Sequence, residues 1–403
     1  MPATLPDGTP VPADGSLPPS ARAHVIGTSL GIYLHVPYCR TRCGYCDFNT
    51  YTADELGRGA ARADWAATAI AELALADRVL GPDRPPVSTV FVGGGTPTLL
   101  PPEDLVRVLN EIDRRFGLAP GAEVTTESNP DSIDARGLAQ LRAGGFTRVS
   151  FGMQSADRDV LRLLDREHTP GRAQAAVAEA RTAGFDSISL DLIYGTPGET
   201  VTSWSDTLNA ALEADPDHVS AYALIIEQGT RLAVRIRRGE VPVPEDDDLA
   251  DKYLLTEERL SSNGYGWYEV SNWARTPADR CQHNLAYWRG GTWWGIGPGA
   301  HSHVGGVRFW NVKHPSAWAQ RLGQGISPGH GREVLTAHQR RLERVLLELR
   351  LVDGLDIAVL TDTERQRLEP VTQRGLATMS GDRIVLTLQG RLLADGVVRD
   401  LLD

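Results

Sequence analysis

The sequence predicts an α/β protein: a partial (β/α)6 TIM-like barrel, then a C-terminal extension and a small winged-helix-like tail. Three observations predict it. Six strand-like runs alternate with helical stretches over residues 31–225, a pattern that implies a parallel sheet with right-handed crossovers. Most Gly-, Asn- or Pro-containing stops fall just after a strand, the rim that carries the chemistry in β/α barrels. The chain has 403 residues, 41% hydrophobic and 23% charged, enough for one barrel and an appendage.

The first strand is Ile32–Val36, stopped by Pro37 and a cysteine-rich loop. Residues 57–80 are Ala/Leu-rich with helical spacing. The second strand, Val87–Val92, meets Gly93-Gly94-Gly95-Thr96-Pro97, and Pro101 or Pro102 opens a helix through Phe116. The third strand, Glu123–Glu127, stops at Ser128-Asn129-Pro130; Asp131 or Ser132 then caps a helix to about Ala143. Arg148–Phe151 is the fourth strand, followed by Gly152-Met153-Gln154-Ser155 and helices near 157–165 and 171–183. Ser187–Ile193 is the fifth, stopped by Tyr194-Gly195-Thr196-Pro197, with a helix from Thr200 to about Ala214. His218–Tyr222 is the sixth.

Four regions follow: a flexible Pro/Gly/Ala/Ser-rich leader over 1–29, a barrel core over 30–226, an aromatic-rich connector over 227–334 closing the site, and a helical, winged-helix-like unit over 335–403. The leader has no apolar signal region, and no apolar run approaches the roughly 18 residues that span a bilayer. Clustered cysteines indicate a reduced compartment, so a cytoplasmic protein is expected. The net charge of -11 argues against a nucleic-acid partner, despite the winged-helix-like tail.

Of the four cysteines, Cys39, Cys43 and Cys46 fall in one loop, and Cys281 stands apart. Three thiolates at gaps of four and three residues can converge on one object. Structural zinc needs a fourth ligand, either Cys281 or a histidine such as His35. An iron–sulfur cube fits the count of three better, because it leaves one iron open to a further ligand. Glycines at 93–95 let the main chain approach a small ligand. Arg166 can pair with a carboxylate and Gln154 can hydrogen-bond it, while Glu127 and Asp191 suit ammonium or ribose hydroxyls.

Cys-x-x-x-Cys-x-x-Cys after the first strand and Gly93–Pro97 after the second resemble the radical S-adenosylmethionine (SAM) superfamily. The words Tyr33–Cys39, Glu127–Pro130, Gly152–Ser155, Asp165-Arg166 and Asp191–Pro197 resemble its branch containing oxygen-independent coproporphyrinogen III oxidases and haem chaperones. The resemblance covers about 30–403. It implies a [4Fe–4S] cluster on Cys39, Cys43 and Cys46, with SAM chelating the fourth iron. It implies a SAM site of Tyr33, Gly93, Gly94, Gly95, Thr96, Glu127, Gln154, Arg166, Asp191 and Ala223. The implied chemistry is one-electron cleavage of SAM to methionine and a 5′-deoxyadenosyl radical, which would need an electron donor.

Two markers separate the branches. Oxidases carry a further cysteine two residues after the third, where this chain has Phe48. The run Cys281–Trp288 resembles a motif of the haem-chaperone branch, with His283, Asn284, Tyr287 and Trp288 as candidate haem contacts. The other reading of that motif is a histidine and asparagine stitching a buried turn, with Tyr287 and Trp288 as core. Cys281, His301 and His303 are competing ligands. The resemblance therefore points to a HemW-like haem chaperone that passes haem to haem-accepting proteins. The alternatives are a coproporphyrinogen III dehydrogenase-like enzyme or a radical methylase or cyclopropanase.

Overall fold

The computed structural model describes residues 7–56, 62–166, 169 and 171–402. The six expected strands are present: β1 (Leu30–Val36), β2 (Val87–Gly94), β3 (Leu118–Ser128), β4 (Arg148–Gln154), β5 (Ser187–Tyr194) and β6 (His218–Ala223). They pair in parallel in chain order. The sheet does not stop at six. Beyond β6 come β7 (Gly266–Glu269) and β8 (Asn272–Ala274), with β8 antiparallel to β6. Beside β1 lies β9 (Thr292–Ile296), parallel to it. Then come β10 (His301–Val304), β11 (Val307–Asn311) and β12 (Gly329–Val334), all antiparallel. Among the described residues the result is one twelve-stranded sheet. The aromatic-rich connector supplies six of its strands.

Alternation decides what each face does. Outward residues such as Leu34, Val90, Val92, Val124, Val149, Phe151, Leu190, Leu192 and Val219 are buried in the main core. The opposite set is polar: Thr125 and Glu127, Arg148, Ser150 and Gln154, Ser189 and Asp191, His218 and Ser220 all line a cavity. Parallel strands covered on both faces normally read apolar throughout. Here one face was left for chemistry.

Several boundaries differ from expectation. The Ala/Leu-rich helix runs Trp65–Leu80, and residues 57–61 lie outside the described residues. Pro130–Ser132 is a separate 3-10 turn. The next helix, Ala135–Ala143, is capped by Asp134, which accepts from the Gly137 amide at 2.8 Å, rather than by Asp131 or Ser132. The flexible leader needs the largest correction. Within it, Pro19–Val25 is a helix with Ala21 and Val25 in the core, and Thr9 bridges to Arg332 beside β12. Its Pro-rich composition hid a segment whose backbone pairs with residues over 300 positions away.

Beyond 335, helix Ala337–Glu348 packs with a three-stranded sheet in the order β13 (Leu355–Asp356), β15 (Arg383–Leu386), β14 (Ala377–Ser380). These elements share a separate hydrophobic cluster around Val345, Leu349, Val371, Ile384 and Val397. No helix among the described residues is long and apolar enough to cross a membrane.

Candidate functional site

The six strand ends and their loops surround one cavity of about 1570 Å³. Single small-molecule sites measure roughly 300–1,000 Å³, so this space exceeds the needs of one small ligand. Cys39, Cys43 and Cys46 all line it.

Backbone bonds pin the cysteine loop. The Cys39 amide donates to Tyr51 O at 3.0 Å, Gly44 to Leu164 O at 3.0 Å, and Leu232 to Gly44 O at 2.8 Å. Burial, with the neighbouring Cys46 and Cys43 thiols, pushes Cys39 up to about 11. Burial likewise raises Cys46. Metal binding would draw off those protons, as thiolate ligation requires. Arg166 donates to Cys43 Sγ at 3.5 Å and to Gly152 O at 3.1 Å, while its buried Nε has no partner. Among the described residues no three His, Cys, Asp or Glu side chains converge tightly enough to hold a single metal ion. Three thiols lining one cavity, with Cys43 and Cys46 close enough to raise Cys39, beside an incompletely satisfied guanidinium fit a larger cluster with an anionic ligand. Neither suggested fourth zinc ligand joins them. His35 has both ring nitrogens engaged, by Tyr33 Oη at 3.0 Å and Asn49 O at 2.9 Å. Cys281 is bonded to Glu123, the partner that also receives the Gln282 and His283 amides.

The triple glycine behaves differently from its expected role. Gly94 has φ +110, and a Cβ there would lie 2.6 Å from the His35 ring. A Cβ on Gly93 would meet Glu127 Oε2 at 2.9 Å, and one on Gly95 would meet Cys39 Sγ at 3.0 Å. The glycines first admit the protein's own site residues, and only then a ligand. Thr96 closes the turn, its amide donating to Tyr38 O at 2.8 Å.

Glu127 accepts from the Gly94 amide at 3.1 Å. Burial, reinforced by the Asp191 charge, pushes it up to about 8. Asp191 takes the Ser150 hydroxyl, 2.8 Å from each of its oxygens, and burial raises it too. Gln154 sits at φ 64 in the left-handed region, an uncommon conformation for a side-chain-bearing residue, and lines the cavity. The rings of Tyr33, Phe91 and His283 form a triangle, Tyr33 lying 6.3 Å from Phe91 and 6.4 Å from His283, which are 5.4 Å apart. Ala223 ends β6 at the cavity wall. Apart from Gly93, whose side-chain space Glu127 fills, the expected SAM residues all line this one cavity.

The haem-motif residues divide. Helix Gln282–Trp288 plugs the N-terminal end of the strands, its first amides held by Glu123. Asn284 and Tyr287 reach the cavity floor. His283 does not: it is 1% exposed, with Nδ1 2.8 Å from Thr89 Oγ1 and Nε2 2.8 Å from Tyr287 Oη. Burial drops it to about 3, so it stays neutral, but neither ring nitrogen is available to a metal. Trp288 packs beside Tyr268, Leu285 and Leu351 and donates to Glu269. The expectation that His283 and Trp288 contact haem is therefore not met by their geometry. His303 is buried and outside the cavity lining, whereas His301 lines the cavity.

Sequence reasoning missed the lumen residues Thr125, Arg148, Ser150, Ser189, His218 and Ser220. Their signal was present: polar residues recur every second position in strands that an ordinary parallel sheet would keep apolar. It also missed Phe48, Tyr222 and Ile225 as exposed apolar groups at the cavity, at 46%, 41% and 67% exposure.

A cysteine loop after the first strand of a parallel sheet, with a glycine turn and buried carboxylates at the next strand ends, defines a radical SAM protein. Residues 33–211 match the family model described as the radical SAM superfamily. The chain is 54% identical to a Mycobacterium tuberculosis protein described as heme chaperone HemW, over 93% of this chain and 95% of that one. It is 30% identical to the Bacillus subtilis HemW, over 91% and 97%. Among solved structures it is similar to the Escherichia coli coproporphyrinogen III oxidase HemN, described as a radical SAM enzyme. That likeness has a TM-score of 0.80 and 25% identity, over 94% and 92% of the two chains. The chain belongs to the HemW family of the radical SAM superfamily.

Proposed function

We propose that this protein is a haem chaperone that holds a [4Fe–4S] cluster, SAM and haem, and passes haem to haem-accepting partner proteins. The carrying observation is the 54% identity, over 93% of the chain, to a protein described as heme chaperone HemW. Cys39, Cys43 and Cys46 would hold the cluster, which when bound supplies one-electron chemistry toward SAM. Arg166 and Gln154 would seat the SAM carboxylate; Glu127 and Asp191 would take its ammonium and ribose hydroxyls. A Glu127 carboxyl raised to about 8 ionises more readily once an ammonium arrives. The cavity volume and its exposed Phe48, Tyr222 and Ile225 leave room and apolar surface for a porphyrin beside SAM.

The likeness to HemN makes a porphyrin-oxidising enzyme the second reading. The sequence separates them at Phe48, where the oxidase pattern has cysteine. Reconstituted protein given reductant, SAM and coproporphyrinogen III is expected to form no protoporphyrinogen IX while still binding haem. Turnover to protoporphyrinogen IX would overturn the chaperone reading.

A further inference from the structure

We infer that His301, rather than His283, is the axial ligand of the haem iron; this rests on the proposed haem cargo. Among the described residues, three histidines line the cavity: His35, His218 and His301. His35 is engaged at both ring nitrogens. So is His218, with Nδ1 2.8 Å from Ser189 Oγ and Nε2 2.8 Å from Tyr268 Oη. His301 makes no such bond among the described residues; its ring stacks on Trp310 at 5.8 Å, 23° from parallel. A neutral imidazole ligates through a ring nitrogen lone pair, so an engaged nitrogen must first lose its partner.

The turn that presents His301 is held on both sides. Glu72, 1% exposed, accepts from the Gly297 amide at 2.8 Å, from Asn311 Nδ2 and from Trp318 Nε1. The Gly299 amide donates to Val312 O at 2.9 Å, and the Asn311 amide to Ala300 O at 3.0 Å. From the cysteine loop, Asn49 Nδ2 donates to Pro298 O at 3.0 Å and Lys313 O at 2.8 Å. Asn49 follows Phe48, so these bonds tie an exposed aromatic ring to the turn carrying the free imidazole. An apolar plate and a metal ligand delivered to one cavity by bonded segments are what a porphyrin needs. Cys281 is a poorer ligand: burial pushes its thiol far up, so it stays protonated beside Glu123.

The test titrates ferric protoporphyrin into full-length, anaerobically reconstituted protein and reads the Soret band. Wild type is expected to saturate with a six- or five-coordinate imidazole spectrum. His301→Ala should shift the band toward that of unligated haem and weaken binding about tenfold or more, and added imidazole should restore the band. His283→Ala should keep the wild-type Soret position. Cluster absorption should be unchanged in both variants. An unchanged band in His301→Ala overturns the assignment, as does a loss that imidazole does not restore. Absence of any saturable Soret change in wild type would instead overturn the haem reading itself.

Discussion

Glu127, Gly94 and His35 form the tightest set of dependencies around the candidate site. The Gly94 amide donates to Glu127, and its missing Cβ leaves room for the His35 ring. Gly94→Ala would place a methyl 2.6 Å from that ring at φ +110, which only glycine adopts without strain. The expected outcome is a folded protein that assembles far less cluster, read as iron and sulfide per chain. Wild-type cluster content in Gly94→Ala would refute the packing role. His283 supplies a pH prediction. Its folded value of about 3 lies below the ordinary 6.5. The stability of keeping it neutral is therefore fully present above pH 6.5 and is lost as pH falls from there through about 3. The unfolding free energy from urea titrations should drop on acidification, by up to about 1.4 kcal/mol per pH unit for one such group. His283→Gln should show a shallower slope over the same window; an identical slope would contradict the buried neutral imidazole. The motif around His283 was legible in the sequence, but its orientation was not. Helical spacing puts His283 and Tyr287 on one face, and only the tertiary fold decided that this face seals the barrel floor.

Strands β1 to β6 were legible because all but β6 end in a Gly-, Pro- or Asn-containing stop and because they alternate with helical stretches. The strands β7 to β12 were not. They are short, all but β9 pair only antiparallel, and the pairing that joins β9 to the barrel is distant: β9 lies beside β1, over 250 residues earlier. The leader was misread for the same reason. The turn between β9 and β10 is the element on which the candidate haem site depends. Glu72→Leu would keep the side-chain volume while leaving the Gly297 amide and Trp318 Nε1 buried and unpaired; Asn311 Nδ2 would keep its bond to Gly297 O. Each orphaned donor costs about 1–3 kcal/mol, so a loss of about 2 kcal/mol or more in urea unfolding is expected. A loss below about 1 kcal/mol would show that water or repacking satisfies the turn without the carboxylate.

At the scale of the molecule, a second hydrophobic cluster beyond residue 335 packs apart from the sheet. It is joined to the barrel side by Arg391, whose guanidinium lies 3.9 Å over the Trp267 ring and 3.0 Å from Glu257. The Val352 amide also donates to Tyr268 O at 2.9 Å. Arg391→Ala should loosen this junction by about 1–2 kcal/mol, seen as faster amide exchange over 355–402 with the β1–β6 amides unchanged. Uniform exchange would mean that the two cores unfold as one unit. The larger consequence of the architecture is that a polar lumen, a cysteine loop and an apolar mouth open into one cavity. Haem binding by the reconstituted protein decides the chaperone reading most directly. Titrating haem into wild type carrying its cluster and SAM, and following absorption anaerobically, should give a saturable Soret shift over an intact cluster spectrum. Absorption that rises linearly as free haem, with no saturation, would contradict it.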